Sequence, residues 1–132
     1  MSIGKEFSVA RSRAKVKRRL KAVIAASKAA MQAEFDKSGA ELVAMQKRFV
    51  PVDQGDLEAS IKNEPSPGGR IGVTVSAGGG DAFHAPFVEF GTVKMEAEPF
   101  FFPPYRALRK KFKSRHRKAQ RNAVKKAMES VK

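Results

Sequence analysis

Three carboxylates are the residues best placed to do chemistry in this chain. Asp53 and Asp56 stand three apart in Val50-Pro51-Val52-Asp53-Gln54-Gly55-Asp56-Leu57-Glu58-Ala59-Ser60-Ile61, and Glu89 lies in His84-Ala85-Pro86-Phe87-Val88-Glu89-Phe90-Gly91-Thr92. Brought together, they would form the carboxylate cluster of a metal-dependent nuclease, with a cation activating water against a phosphodiester. A plainer role accounts for each of them. Asp53 follows the helix-ending Pro51 where an N-cap belongs, and Asp56 takes the place of a capping-box acid, with Leu57 and Ile61 four apart on the buried side of a short helix. Glu89 is set among large apolar side chains, and an ionised group cannot be buried alone. It therefore needs a donor, either backbone N–H groups or a basic side chain, near the loop carrying Asp53 to Gly55. His84 and His116 are too few for an ordinary metal cluster, and with no cysteine there is neither a thiolate site nor a disulfide framework. The residues thus point to no catalytic group, no metal and no cofactor.

The elements that must position these residues are legible in turn. Pro86 can open a helical turn at its first position and Gly91 can close it, so Ala85 to Phe90 reads as about one and a half turns; an edge strand is the rival reading. Upstream, Leu20, Ile24, Ser27, Met31, Phe35, Ser38, Leu42, Met45 and Phe49 recur in steps of three and four, a helical stripe with no proline before Pro51. Unbroken from Val16 to Phe49, that helix is about 51 Å long. A compact chain of this size has a radius of gyration of about 14 Å. The helix must either bend at Lys37-Ser38-Gly39 or overhang its domain and pack on a neighbouring subunit, and the overhang is the expectation. Residues 1–14 show no period and are expected to form a flexible basic arm.

After Ile61 the pattern changes. Lys62 to Arg70, with Pro65, Pro67, Gly68 and Gly69, reads as a hairpin turn or exposed loop. Ile71, Val73 and Val75 alternate with small or polar residues as a half-buried strand. Gly78-Gly79-Gly80 reads as a mobile connector, since no Lys-Ser/Thr pair follows to make a phosphate cradle. Val93 to Ala97 is a candidate short strand. In Pro99-Phe100-Phe101-Phe102-Pro103-Pro104 the three phenylalanines cannot all face inward, so at least one packs on another chain or under a loop. Pro103 or Pro104 then opens a last helix, whose narrow stripe of Leu108, Phe112, Ala119, Ala123 and Ala127 must dock. The fold class is α+β: a long N-terminal helix, a short helix, a small antiparallel sheet and a basic C-terminal helix. The expected division is a flexible arm (1–14), a core domain (15–104) and the C-terminal helix (105–132).

Charge is distributed unevenly along these elements. The net charge is +14. Residues 1–33 carry nine Lys/Arg against one acid, residues 34–98 six against eleven, and residues 99–132 twelve against one. Basic ends flank an acidic middle. From Arg106 to Lys126 there are eleven Lys/Arg and no acid, a density that repels itself unless a partner neutralises it. Arg109, Lys110, Lys111, Lys113, Arg115, Arg117, Lys118 and Arg121 are therefore candidate contacts for DNA or another polyanion; the acidic middle of a neighbouring subunit is the competing partner. No run of about 18 apolar residues exists to span a membrane, and Met1 to Ala10 lacks the apolar core of a secretory signal. The expectation is a protein made and assembled in the cytoplasm.

Three blocks, in this order, resemble the small neck or tail-completion proteins of long-tailed bacteriophages. They are Val50 to Ile61 with Pro51, Asp53, Gly55 and Leu57; Ala85 to Thr92 with Glu89, Phe90 and Gly91; and Pro99-Phe100 before a helix start. The resemblance departs at Gln54, where threonine is usual, at His84, where tyrosine is usual, and at Phe101 to Pro104. It implies a non-enzymatic α+β virion protein that forms a homo-oligomeric ring, expected to be a hexamer, at the head-to-tail joint through which DNA passes. Its implied neighbours are head-closure and tail-terminator or tail-tube proteins, in a virion assembled in the bacterial host cytoplasm. The basic ends lie outside the resemblance. On their own they would suit a sequence-independent nucleic-acid-binding protein that is not part of a virion.

Overall fold

The computed structural model describes residues 2–51 and 53–130. Val52 of the first block, Met1 of the expected arm, and Val131 and Lys132 of the expected last helix lie outside the described residues. The element order is α1 (Ser2–Phe49), α2 (Gly55–Ser60), β1 (Lys62–Pro65), β2 (Val73–Ser76), α3 (Ala85–Phe90) and α4 (Phe102–Ser130), with 3-10 turns at Pro67–Gly69 and Gly80–Ala82. This is the α+β arrangement of long helix, short helix, small antiparallel sheet and C-terminal helix.

The 48 residues of α1 make a rod about 72 Å long. The helix begins at Ser2, so the stretch expected to be an arm is helical. That stretch contains no proline and its one glycine is Gly4; lack of an apolar period removes a packing face without removing helix propensity. Lys47 and Arg48 sit in the last turn, where cations meet the negative end of the helix dipole. Gly39 does not break the rod. A Cβ built there would come within 2.6 Å of the Asn63 side chain, so this glycine is where β1 presses against the helix.

α4 packs antiparallel on α1. Phe101, just before α4, accepts from Gln46, His116 of α4 meets Ser38, and its Ala119, Ala123 and Ala127 share a hollow with Ala22, Ala26 and Ala30. Small residues on both helices allow the backbones to approach closely. The seam therefore migrates around α1, from Ser38, Leu42 and Gln46 to the alanine row. The expected stripe runs off this seam: Leu20 and Ile24 precede Ala22 and Ala26 by two residues, about 200° around the helix, and both are exposed. Phe49 is exposed as well. The polar part of the seam centres on Arg115, whose Nη1 donates to Glu41 Oε2 at 2.6 Å and whose Nη2 donates to Ser38 Oγ at 3.2 Å. Its Nε lies 3.5 Å from Glu34. His116 Nε2 is 3.0 Å from the same serine hydroxyl, and its ring meets Phe35 edge-on.

Beside this helical hairpin sits a small head. β1 and β2 pair antiparallel, with Lys62 opposite Ser76 and Pro65 opposite Val73. β1 falls within a segment read as turn or loop, because Lys-Asn-Glu-Pro offers no apolar alternation and becomes a strand only through its partner. The Gln32 side-chain amide ties the hairpin end to α1, accepting from Gly72 N at 3.0 Å and donating to Gly72 O at 3.2 Å. Val50, Leu57, Ile61, Ala82, Ala85, Val88 and Phe100 form the core. The triple glycine leads into the 3-10 turn, and Gly78 N donates to Ser60 Oγ. Val93 to Ala97 is not a strand; it is a turn in which Thr92 N donates to Met95 O at 2.8 Å.

Candidate functional site

Glu89 organises the head. It is 6 % exposed, on the inward side of α3, and its carboxylate accepts three backbone N–H groups. Phe100 N and Phe101 N reach Oε2 at 2.8 and 2.9 Å, and Phe102 N reaches Oε1 at 3.1 Å. These donors lie at the entry to α4, where the next two residues, Pro103 and Pro104, have no N–H. An anion is favoured at the start of a helix, so Glu89 caps α4 from another element. The donors are the backbone groups expected for it, and they come from the phenylalanine run rather than from the Asp53–Gly55 loop. Gln46, fully buried, secures the same corner by donating to Phe101 O at 2.9 Å. Gly91 closes α3 with its N–H on Phe87 O at 2.8 Å and φ of 76°. A Cβ there would meet backbone atoms of Met95 and Ala97 at 2.9 to 3.2 Å, so the position excludes a side chain on two counts.

Asp53 is not the cap of α2. The turn closed by Gln54 N on Pro51 O leaves Asp53 exposed, and Gln54 occupies the N-cap position without a capping side-chain bond. The Gln54 side chain is engaged elsewhere, with Oε1 at 2.6 Å from His84 Nε2. The two departures from the phage pattern, Gln54 and His84, are thus bonded to each other. Leu57 is fully buried, Gly55 and Pro99 are exposed, and Phe100 is 1 % exposed. With both oxygens of Glu89 on backbone donors, Asp53, Asp56 and Glu89 do not make a cluster. Among the described residues no group of three His, Asp or Glu is placed to hold a metal ion.

Phe90, named with Glu89 and Gly91 in the second phage-like block, lies at the surface. α3 turns Ala85, Val88 and Glu89 inward and leaves Phe87 and Phe90 outward, at 50 % and 71 % exposure, and Phe83, just before the helix, is 72 % exposed. The spacing of three puts Phe87 and Phe90 on one helical face. That spacing was readable in the sequence, as was the complementary run Ala82, Ala85, Val88. Phe102 stacks obliquely beside Phe90 at 6.1 Å, so one member of the phenylalanine run lies at the surface.

On α4 the docking stripe Leu108, Phe112, Ala119, Ala123 and Ala127 faces α1, and the basic residues divide. Lys110, Lys113, Arg117 and Arg121 line one shallow groove with Ser114, on the side away from the seam. Arg109, Lys111 and Lys118 are exposed on the flanks. Arg115 leaves the candidate set, because its guanidinium is taken by Glu34, Ser38 and Glu41. Arg115 in turn holds Glu41 below the ordinary carboxylate value, first through its hydrogen bond and also through its charge, with Lys111 and Lys37 adding to the effect. Among the described residues no helix is long and apolar enough to cross a membrane.

No curated protein and no solved structure matches the chain. Residues 14–91, more than half of its length, match the family described as "Bacteriophage HK97-gp10, putative tail-component". The matched span runs from the N-terminal part of α1 to Gly91, taking in Glu89 but not the Phe100–Phe102 donors, and the chain belongs to the HK97-gp10-like family of bacteriophage tail components.

Proposed function

We propose that this protein is a structural part of the virion neck, forming a closed ring of six at the head-to-tail joint, with head-closure and tail-terminator or tail-tube proteins as its neighbours. The observation that carries the reading is the overhang. The hollow that α4 shares with α1 ends at Ala22, and about 30 Å of helix lies N-terminal to it. That segment bears Val9, Val16 and Leu20 in the open. A rod with apolar side chains and nothing to cover them is suited to assembly rather than catalysis. A contact that repeats head to tail and closes makes a ring. Native mass and ring-averaged images, at high salt without DNA or with the neighbouring proteins added, should show a fixed copy number. Monomers in the assembled particle would overturn the reading.

The DNA that passes through such a ring would meet α4. Lys110, Lys113 and Arg117 recur about one turn apart on its outer side, and backbone contact there would be independent of base sequence. Affinity should fall with salt at a log-log slope of about −0.9 per phosphate neutralised. Replacing Lys110, Lys113, Arg117 and Lys118 by glutamine should abolish salt-sensitive DNA binding and leave the ring intact. A broken ring with unchanged DNA affinity would instead assign this row to an acidic neighbour. The same row favours the second reading, a sequence-independent DNA-binding protein outside the virion; DNA binding without a ring at any salt would select it.

A further inference from the structure

We infer that the subunit contact is made by the free end of α1 inserting against the outward phenylalanine face of α3 in a second copy. The inference rests on the ring reading and supplies its two surfaces. The first is the stripe Val9, Val16, Leu20 and Ile24, all exposed. Between the first two, Ser8 and Ser12 leave a shallow depression bounded by Arg13 and Lys17. The second surface is Phe87 and Phe90, on the outward side of α3, with the exposed Phe83 just before the helix.

Charge selects this pairing over the others. Residues 8–21 carry seven Lys/Arg and no acid, so two free ends placed side by side would repel. The apolar groove between α1, β2 and α4 is rimmed by Arg109, Lys113 and His116 and would repel the same segment. The surroundings of α3 are acidic. Asp81 is two residues before Phe83, Asp53 and Asp56 flank the Gln54 that bonds His84, and Glu96 and Glu98 follow the helix, with Lys94 before them. Burying bulky apolar side chains inside a frame of opposite charge gives both affinity and register. The surfaces are different patches of one chain, so the contact is head to tail, the type that closes into rings.

The chain has no cysteine, which makes the test direct. Val16→Cys and Phe87→Cys full-length proteins are mixed under ring-forming conditions and treated with a short bismaleimide. A cross-link should appear between the two variants and in neither alone, and the double variant should give a ladder that ends at the ring number. In parallel, a Phe83→Ser, Phe87→Ser, Phe90→Ser variant should keep the thermal unfolding of the single subunit and lose assembly. A ring of normal mass without the mixed cross-link, or one formed by the triple variant, overturns this contact and leaves the ring standing. Monomers under every condition, with the particle included, overturn the ring itself and the contact with it.

Discussion

The head and the free end of α1 treat large apolar side chains in opposite ways. In the head, Leu57 and Phe100 are buried almost completely, and the entry of the chain into α4 is fixed by Glu89 and Gln46 through four hydrogen bonds to backbone. Along the free end, Val16 and Leu20 stand more than half exposed. Between them the α1–α4 seam is intermediate, with Leu42 and Phe112 buried near the head, alanines at the far end and a polar centre at Arg115. The gradient teaches where the stability of the subunit resides. Burial of several kcal/mol's worth of phenylalanine and leucine surface keeps the head folded. The free end contributes little to the fold and has its apolar surface available for a partner.

The sharpest way to break this comparison is to empty the core of the head. Phe100→Ala should cost about 3–5 kcal/mol, the range for a buried phenylalanine, whereas Val16→Ala should leave denaturant unfolding of the single subunit unchanged. Equal effects at the two positions would erase the distinction.

A smaller effect is expected at the corner where α3 caps α4. Glu89→Gln keeps the volume, removes the charge and sets an amide among three N–H donors. Hydrogen bonds to a charged group contribute about 1.5–3 kcal/mol, so the unfolding midpoint should fall. Recovery of a measurable activity in the wild type that disappears in Glu89→Gln would revive the enzyme reading.

The smallest effect concerns the seam. Glu41 has a folded pKa below its ordinary value of about 4.5, so its contribution is complete above that value and is lost as pH falls through the folded pKa. Urea titrations between about pH 5 and pH 3 should show wild type losing stability slightly more steeply than Glu41→Gln. The partly exposed pair is screened by solvent and the difference should be modest; identical slopes would mean that Arg115 does not hold the seam.

Much of this molecule can be read directly from residue order, because the signals are local. Pro51 stops α1, Ala85 to Phe90 closes at Gly91, and two prolines open α4; each follows from what a proline or glycine backbone can do. The need of Glu89 for donors follows from the cost of a buried charge. Other features depend on partners distant in sequence. β1 has no strand pattern and exists because β2 lies beside it. Asp53 had the chemistry of a cap, yet a turn one residue longer moved the position to Gln54.

By itself, then, the sequence determined the α+β class, the end of the rod at Pro51, the acidic middle between basic ends and the three phage-like blocks, since these rest on composition and short-range geometry; the rod's start at Ser2 rather than Val16 was not among them. Tertiary structure alone decided which face of each helix is used. The alanine row drew α4 to the side of α1 opposite Leu20 and Ile24, α3 turned its small residues inward and its phenylalanines out, and Arg115 was withdrawn from the basic row by Glu34 and Glu41. Periodicity identifies an apolar or basic face, but whether that face is covered depends on how closely another backbone can approach it.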